Sequence, residues 1–387
     1  EYWQLFLGLV LLGVVLFAYV GIGGMRAVGY FGVIQSVLAF TAIVGLAGFA
    51  LMSSGGFAAL NAGLQTLAQS PDGSGLFQVA GVIRFSAGLG RDAVMGHAET
   101  ALTSLSVAMA FMGFQASPLA AKIVLSTRNA NGFAAGQTWV MAGIVGGIIA
   151  FGMAIIGTAG LINPQLSLGG MLAQLQAASP WFMAWLFLGA VAGVQLLAGL
   201  GLLTAGEGLV RHIYKPYFHS SLSRVATVNL TRIVIALLAL VSVLMQSLTP
   251  VTLSSLGALA LPLAFQLWTP LLGITWLRWI TPAAATVGVG FGIAGVLLTE
   301  TMGYEVLSFL GLELPWGRWP WTIHSAAWGM AANIAAVLII SAITNRNAFG
   351  AEAQEARRFV QSTLRMGPRA RVLGAAAWSV ALAWIFL

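Results

Sequence analysis

The residues best placed to do chemistry in this chain are amides, hydroxyls and an indole set inside long apolar runs. Gln115 stands two residues before the pair Ser117–Pro118, and Gln266 and Trp268 stand four and two residues before Pro270. A polar side chain inside a membrane-spanning segment is costly, so each of these needs a reason. What they offer is recognition: an amide donates and accepts hydrogen bonds, and a proline frees a backbone carbonyl upstream of itself. On this reading Gln115, Ser117, Gln266 and Trp268 form a solute-binding set. The competing reading gives Gln115 a neighbouring helix as partner, Ser117 its own backbone, and Gln266 and Trp268 a packing role. Gln195 and Thr204 are a second polar pair in a later apolar run. Glu207 lies four residues before Arg211, the spacing of a surface ion pair on a helix, with proton coupling as its alternative. No Ser, His and Asp constellation, phosphate loop or paired carboxylates is recognisable, so the chain is not expected to be an enzyme.

The elements that hold these residues follow from composition. Of 387 residues 59% are hydrophobic and only 7% charged, too few charges to wet the surface of a soluble domain. The net charge of +7 comes from basic residues scattered between apolar runs, which argues against nucleic acid. With no cysteine and four histidines lacking ligand spacing, neither disulfides nor a metal site is expected. A spanning helix needs about 20 mostly apolar residues. Ten stretches qualify, near 3–20, 27–52, 101–120, 136–162, 181–205, 228–247, 253–276, 282–300, 322–342 and 370–387. The first two are separated only by "GIGGMRA", a hairpin whose glycines supply the turn. Basic loops stay cytoplasmic. With Arg26 inside, alternation places every one of the 17 Lys and Arg inside except Arg84, Arg91 and Arg318, and the acidic residues show the opposite bias. Trp181, Trp185, Trp316, Trp319 and Trp321 fall near outer interfaces and read as anchors. Within the outer segment 53–100, "GLFQVAGVIRF" reads as a short interfacial helix. The inner segment 343–369 reads as an amphipathic linker, helical from Ala351 to Arg365, lying on anionic headgroups or against a partner.

Four segments resemble the sodium/solute symporter family. "YVGIGGMRAVGYFGVIQ" is similar to its glycine hairpin, through Tyr19, Gly23, Gly24, Ala27, Val28 and Gln35. "MGFQASPLAAKIVLSTRNANGFAAGQTWVMAGIVGG" resembles the sixth core helix, its basic loop and the start of the seventh. "GLVRHIYKPYFHSSLSRVATVNLTRIVIALLAL" resembles the end of the eighth, which closes in Asp-Ile-Tyr-Lys in the family, and then the ninth. "LSSLGALALPLAFQLWTPLLGITWLRWITPAAATVGVGFGIAGVL" resembles the tenth, with Pro270, Trp276 and Arg278 near its inner end.

The resemblance implies an all-α polytopic membrane protein of about ten transmembrane helices, part of a leucine-transporter-like five-plus-five inverted repeat that begins here at the fourth core helix. Residues 1–342 are then the transmembrane core, 343–369 the linker and 370–387 the last span. It implies a secondary transporter of a small organic solute in a bacterial cytoplasmic membrane, with sodium as the usual driving ion and Gln115 as a substrate-contacting amide. The pattern also departs from the family. Gly32 stands where the hairpin carries a carboxylate, His212 replaces the motif aspartate, and ungapped counting places Leu196 and Leu197 where a hydroxyl pair holds sodium. Leucine has no oxygen for a hard cation, which leaves Gln195 and Thr204 as the nearest polar groups for ion coupling. Two other functions fit the same sequence: the solute-sensing membrane domain of a sensor histidine kinase, with a signalling domain as partner, and a non-transporting subunit of a larger complex.

Overall fold

Proline and glycine punctuate the chain into helices. In the computed structural model the described residues are 2–70, 81–82, 100–127, 133, 136–248, 250–277, 279–312, 314–344, 354–355 and 358, and among them every regular element is helical. Helix α1, Tyr2–Phe17, runs through a π turn, Ala18–Ile22, into α2, Gly24–Ser53. At the junction Gly24 takes a φ of 59°, and a Cβ on Gly23 would lie 2.7 Å from the Tyr19 carbonyl, so the double glycine is required by the turn. Then come α3, Gly56–Gln69; α4, Ala101–Ala116; α5, Pro118–Leu125; and α6, Gly146–Ile162, led in by a π stretch, Gly136–Val145. After α7, Leu168–Ala178, the long α8, Pro180–Glu207, continues through a π turn, Gly208–Tyr214. The remainder is α9, Arg224–Leu248; α10, Pro250–Phe265; α11, Trp268–Thr275; α12, Pro282–Leu298; α13, Thr301–Phe309; and α14, Ser325–Ile343.

Among the described residues six helices are long and apolar enough to cross a membrane, or eight if the bent pairs α4 with α5 and α12 with α13 each make one span. The chain is therefore an all-helical, polytopic integral membrane protein. Eight of the ten expected spans fall on these helices; the first falls on α1, a shorter apolar helix, and the tenth, 370–387, lies outside the described residues. The Ala351–Arg365 helix and the "GLFQVAGVIRF" segment also lie outside them, apart from isolated positions. Two helices were not expected. α3 buries Leu60, with Gly63 against Ile162 of α6, and α7 buries Met171 and Leu175. Each is one-sided, with amides on the other face, so neither resembles a span.

The chain divides into two compact units, Glu1–Val79 with Pro118–Leu253, and Ala80–Ser117 with Ser254–Leu387. In the first, α2 and α8 lie antiparallel on small residues: Gly189 faces Ala42 and Leu38, Gly193 faces Ala39, and Gly199 faces Tyr19 and Val20. In the second, α12 and α14 pair likewise, Gly288 against Val337, Gly292 against Asn333, and Gly295 against Gly329. Large apolar side chains point outward while Ser325, Asn333 and Gln266 are fully buried. That distribution suits a hydrocarbon solvent, where helices associate by close backbone approach and interhelical hydrogen bonds.

Candidate functional site

Two proline breaks interrupt the apolar helices. Pro118 has no N–H, so the Phe114 carbonyl four residues earlier loses its helical donor. Ser117 supplies two replacements: its backbone N–H and its hydroxyl donate to that carbonyl at 3.1 and 2.6 Å. Ser117 itself is extended, as the residue before proline prefers, and α4 ends there.

The second break separates α10 from α11. Pro270 deprives the Gln266 carbonyl of its donor, and Asn333 of α14 donates to it from Nδ2 at 2.9 Å. The Gln266 side chain is fully buried. Its Nε2 donates to the carbonyls of Pro262 and Ala326 at 3.0 and 3.3 Å, and its Oε1 accepts from Asn333 at 3.4 Å. The Thr269 hydroxyl closes the network, 2.9 Å from Asn333 Oδ1 and 3.2 Å from the Gln266 carbonyl. Trp268 donates from Nε1 to the Met112 carbonyl at 3.0 Å, tying the start of α11 to the last turn of α4. Gly113 permits this approach, since a Cβ there would lie 2.7 Å from the Phe265 backbone nitrogen.

Of the four residues expected to bind solute, Ser117 and Trp268 are therefore brought to the α4 break, and Gln115 lies exposed on α4 beside them. Gln266 commits both ends of its amide within the protein. Asn333, which completes its network, was not singled out in the sequence, although an amide inside the apolar run 322–342 was the available signal.

Gln195 and Thr204 belong to the first unit, on α8. The Thr204 hydroxyl donates to the Leu200 carbonyl at 2.7 Å, within its own helix. Gln195 faces the π turn and α2: its carbonyl accepts from the Tyr19 hydroxyl at 2.9 Å, and its Oε1 accepts from Gln35 Nε2 at 3.4 Å. Gln35 is 9% exposed, and its Oε1 has no hydrogen-bond partner. Beside this amide pair Leu196 packs on Gly32, whose Cβ, if it had one, would lie 3.0 Å from Leu196 Cδ1. The positions at which the resemblance expects a carboxylate and a hydroxyl thus meet as hydrocarbon and do not fit a sodium ion.

Charges cluster at two further places. Glu207 pairs with Lys122 of α5, while Arg211, the partner that spacing suggested, stands 4.0 Å away. In the second unit Glu300, 4% exposed, accepts from Arg318 Nε at 3.1 Å, Trp319 Nε1 at 2.7 Å and the Ser325 hydroxyl at 2.8 Å. The guanidinium of Arg318 lies 4.4 Å above the Trp319 ring, and Trp316 donates to the Leu298 carbonyl at 2.8 Å. Trp316 and Trp319, expected to be interfacial anchors, are turned inward as struts. The strap they belong to holds Trp319, Trp321 and Thr322 at φ of 53°, 53° and 66°, a region costly for bulky or branched residues. His324, which precedes the span Ser325–Ile343, caps α14 by accepting at Nδ1 from the Ala326 N–H at 3.1 Å. Burial holds its pKa below the ordinary histidine value; Glu300 opposes that shift and Arg318 adds to it.

No protein-family model matches this chain, and no curated protein matches it.

Proposed function

We propose that this protein is a secondary transporter of the sodium/solute symporter type, moving a small organic solute across the membrane. The observation that carries this reading is that proline breaks interrupt apolar helices twice, at Ser117–Pro118 and at Gln266–Pro270. An unbroken helix satisfies its own backbone. Irregular backbone at membrane depth is tolerated where it is buried in protein or lines a cavity, and discontinuous helices are the usual material of transporter sites. Beside the first break Gln115 is exposed on α4, with an amide able to donate and accept. The chemistry is recognition without bond making. Hydrocarbon at Gly32 and Leu196 argues that the driving force does not enter through a sodium ion held on α8.

Thermal unfolding of the full-length protein with amino acids, carboxylates and sugars tests the reading. One solute class is expected to stabilise the protein, by about 2.7 kcal/mol at a hundredfold excess over its dissociation constant. Gln115→Leu should abolish the effect, and sodium should not change it. No stabilisation by any class would defeat the proposal.

A further inference from the structure

A groove of about 270 Å³ runs along the first unit between the end of α1 and α9, lined by Phe17, Arg232, Ile233, Ala236, Leu237 and Leu240. Apart from Arg232 the lining is hydrocarbon and aromatic ring, and Ile233, Leu237 and Leu240 are each more than half exposed. From Arg232 to Leu240 the helix rises about 12 Å, the direction and depth of an acyl chain entering from one leaflet.

Arg232 closes one end of the groove, on the side that carries Arg26 and Arg224. Its Nε donates to the Gly21 carbonyl at 3.0 Å and its Nη1 lies 3.4 Å from Asn229 Oδ1. Both acceptors are neutral, and among the described residues Arg232 forms no ion pair; those found are of Lys122, Arg211 and Arg318. The side chain is thus fixed in direction by the π turn and retains N–H groups free to meet an anion in bidentate fashion. A second protein copy packed here would bury that charge without a counterion, which is costly.

We propose that the groove seats one anionic phospholipid, its acyl chain along Phe17, Ile233, Leu237 and Leu240 and its phosphate on Arg232. This goes beyond the transport reading and does not depend on it. The seat also ties α1 to α9, which already meet where Gly13 faces Val243.

The test reconstitutes the full-length protein in nanodiscs of equal phosphatidylglycerol and phosphatidylcholine, then releases it for native mass spectrometry. The wild type should retain phosphatidylglycerol about five-fold above its bulk proportion, the preference one arginine supplies near a membrane surface. Arg232→Gln should return the ratio to that of the bulk. Ala236→Phe, which fills the groove and leaves the arginine intact, should lower the number of lipids retained, and guards against a folding defect in the first variant. Retention of the wild-type ratio by Arg232→Gln, unchanged lipid number in Ala236→Phe, or a lipid-free dimer that Ala236→Phe dissociates would each overturn the proposal.

Discussion

Replacing Asn333 by alanine removes the side chain that stands in for the N–H missing from Pro270. Three hydrogen bonds go with it: to the Gln266 carbonyl at 2.9 Å, to Gln266 Oε1 at 3.4 Å and from the Thr269 hydroxyl at 2.9 Å. The Thr269 hydroxyl keeps an acceptor, because the Gln266 carbonyl lies 3.2 Å away, so it is not orphaned. Interhelical hydrogen bonds in membranes average about 0.6 kcal/mol each. Two or three of them therefore sum to about 1–2 kcal/mol, a change of up to roughly thirty-fold in the ratio of folded to unfolded protein. The assay is reversible unfolding in mixed micelles of Asn333→Ala, Gln266→Met and the double variant. Because both residues act through one network, the cycle should show coupling of about 1 kcal/mol. A single-variant loss under about 0.3 kcal/mol, or strict additivity, would refute the claim that Asn333 and Gln266 hold the break as a pair.

Four other outcomes follow from the packing and charge clusters. Gly189→Ala should destabilise by about 1–3 kcal/mol, since its Cβ would lie 2.8 Å from the Leu38 carbonyl and collide with Ala42; Gly201→Ala, in open space on the same helix, should be neutral or stabilising in the same melt. Glu300→Gln removes the charge from a buried carboxylate that accepts from Arg318, Trp319 and Ser325, so a loss of about 3 kcal/mol and faster amide exchange across 316–324 are expected. Lys122→Met should cost less than the ~3–5 kcal/mol of a fully buried pair, because both side chains are about one-fifth exposed, and the further change Glu207→Leu should recover much of that loss. His324 accepts at Nδ1 as a neutral ring, and its folded pKa lies below the unfolded value of about 6.5. Its contribution is thus complete above that value and is lost as pH falls through the folded pKa, so melting temperature should drop on acidification in the wild type and stay flatter in His324→Asn, which caps without titrating.

What the sequence makes legible is local. Gly23–Gly24 announces a turn because glycine takes the left-handed backbone of Gly24 without a steric cost, and Pro118 and Pro270 announce breaks because proline cannot donate. The partners that repair those breaks are another matter. Asn333 lies 67 residues from Gln266, and nothing in the run around Pro270 points to it. The same limit explains Glu207, whose neighbour at i+4 is Arg211 while the closer partner, Lys122, sits on α5. Hydropathy located the spans but passed over α3 and α7, whose one-sided apolar faces are too short and too polar to look like spans. Trp319 looks like an anchor until Glu300 is found under its indole nitrogen. Gly32 and Leu196 offer no side-chain oxygen in the sequence, and the packing adds that the two positions fill one another.

The central claim is transport without a sodium site on α8, and solute flux tests it most directly. The full-length protein in proteoliposomes would be offered pooled labelled amino acids, carboxylates and sugars, with and without a sodium gradient. The account predicts uptake of one solute class above protein-free vesicles, at a rate the sodium gradient does not change and that Gln115→Leu reduces. Absence of flux for every class would contradict the transport reading, and accumulation that requires sodium would contradict the hydrocarbon assignment at Gly32 and Leu196.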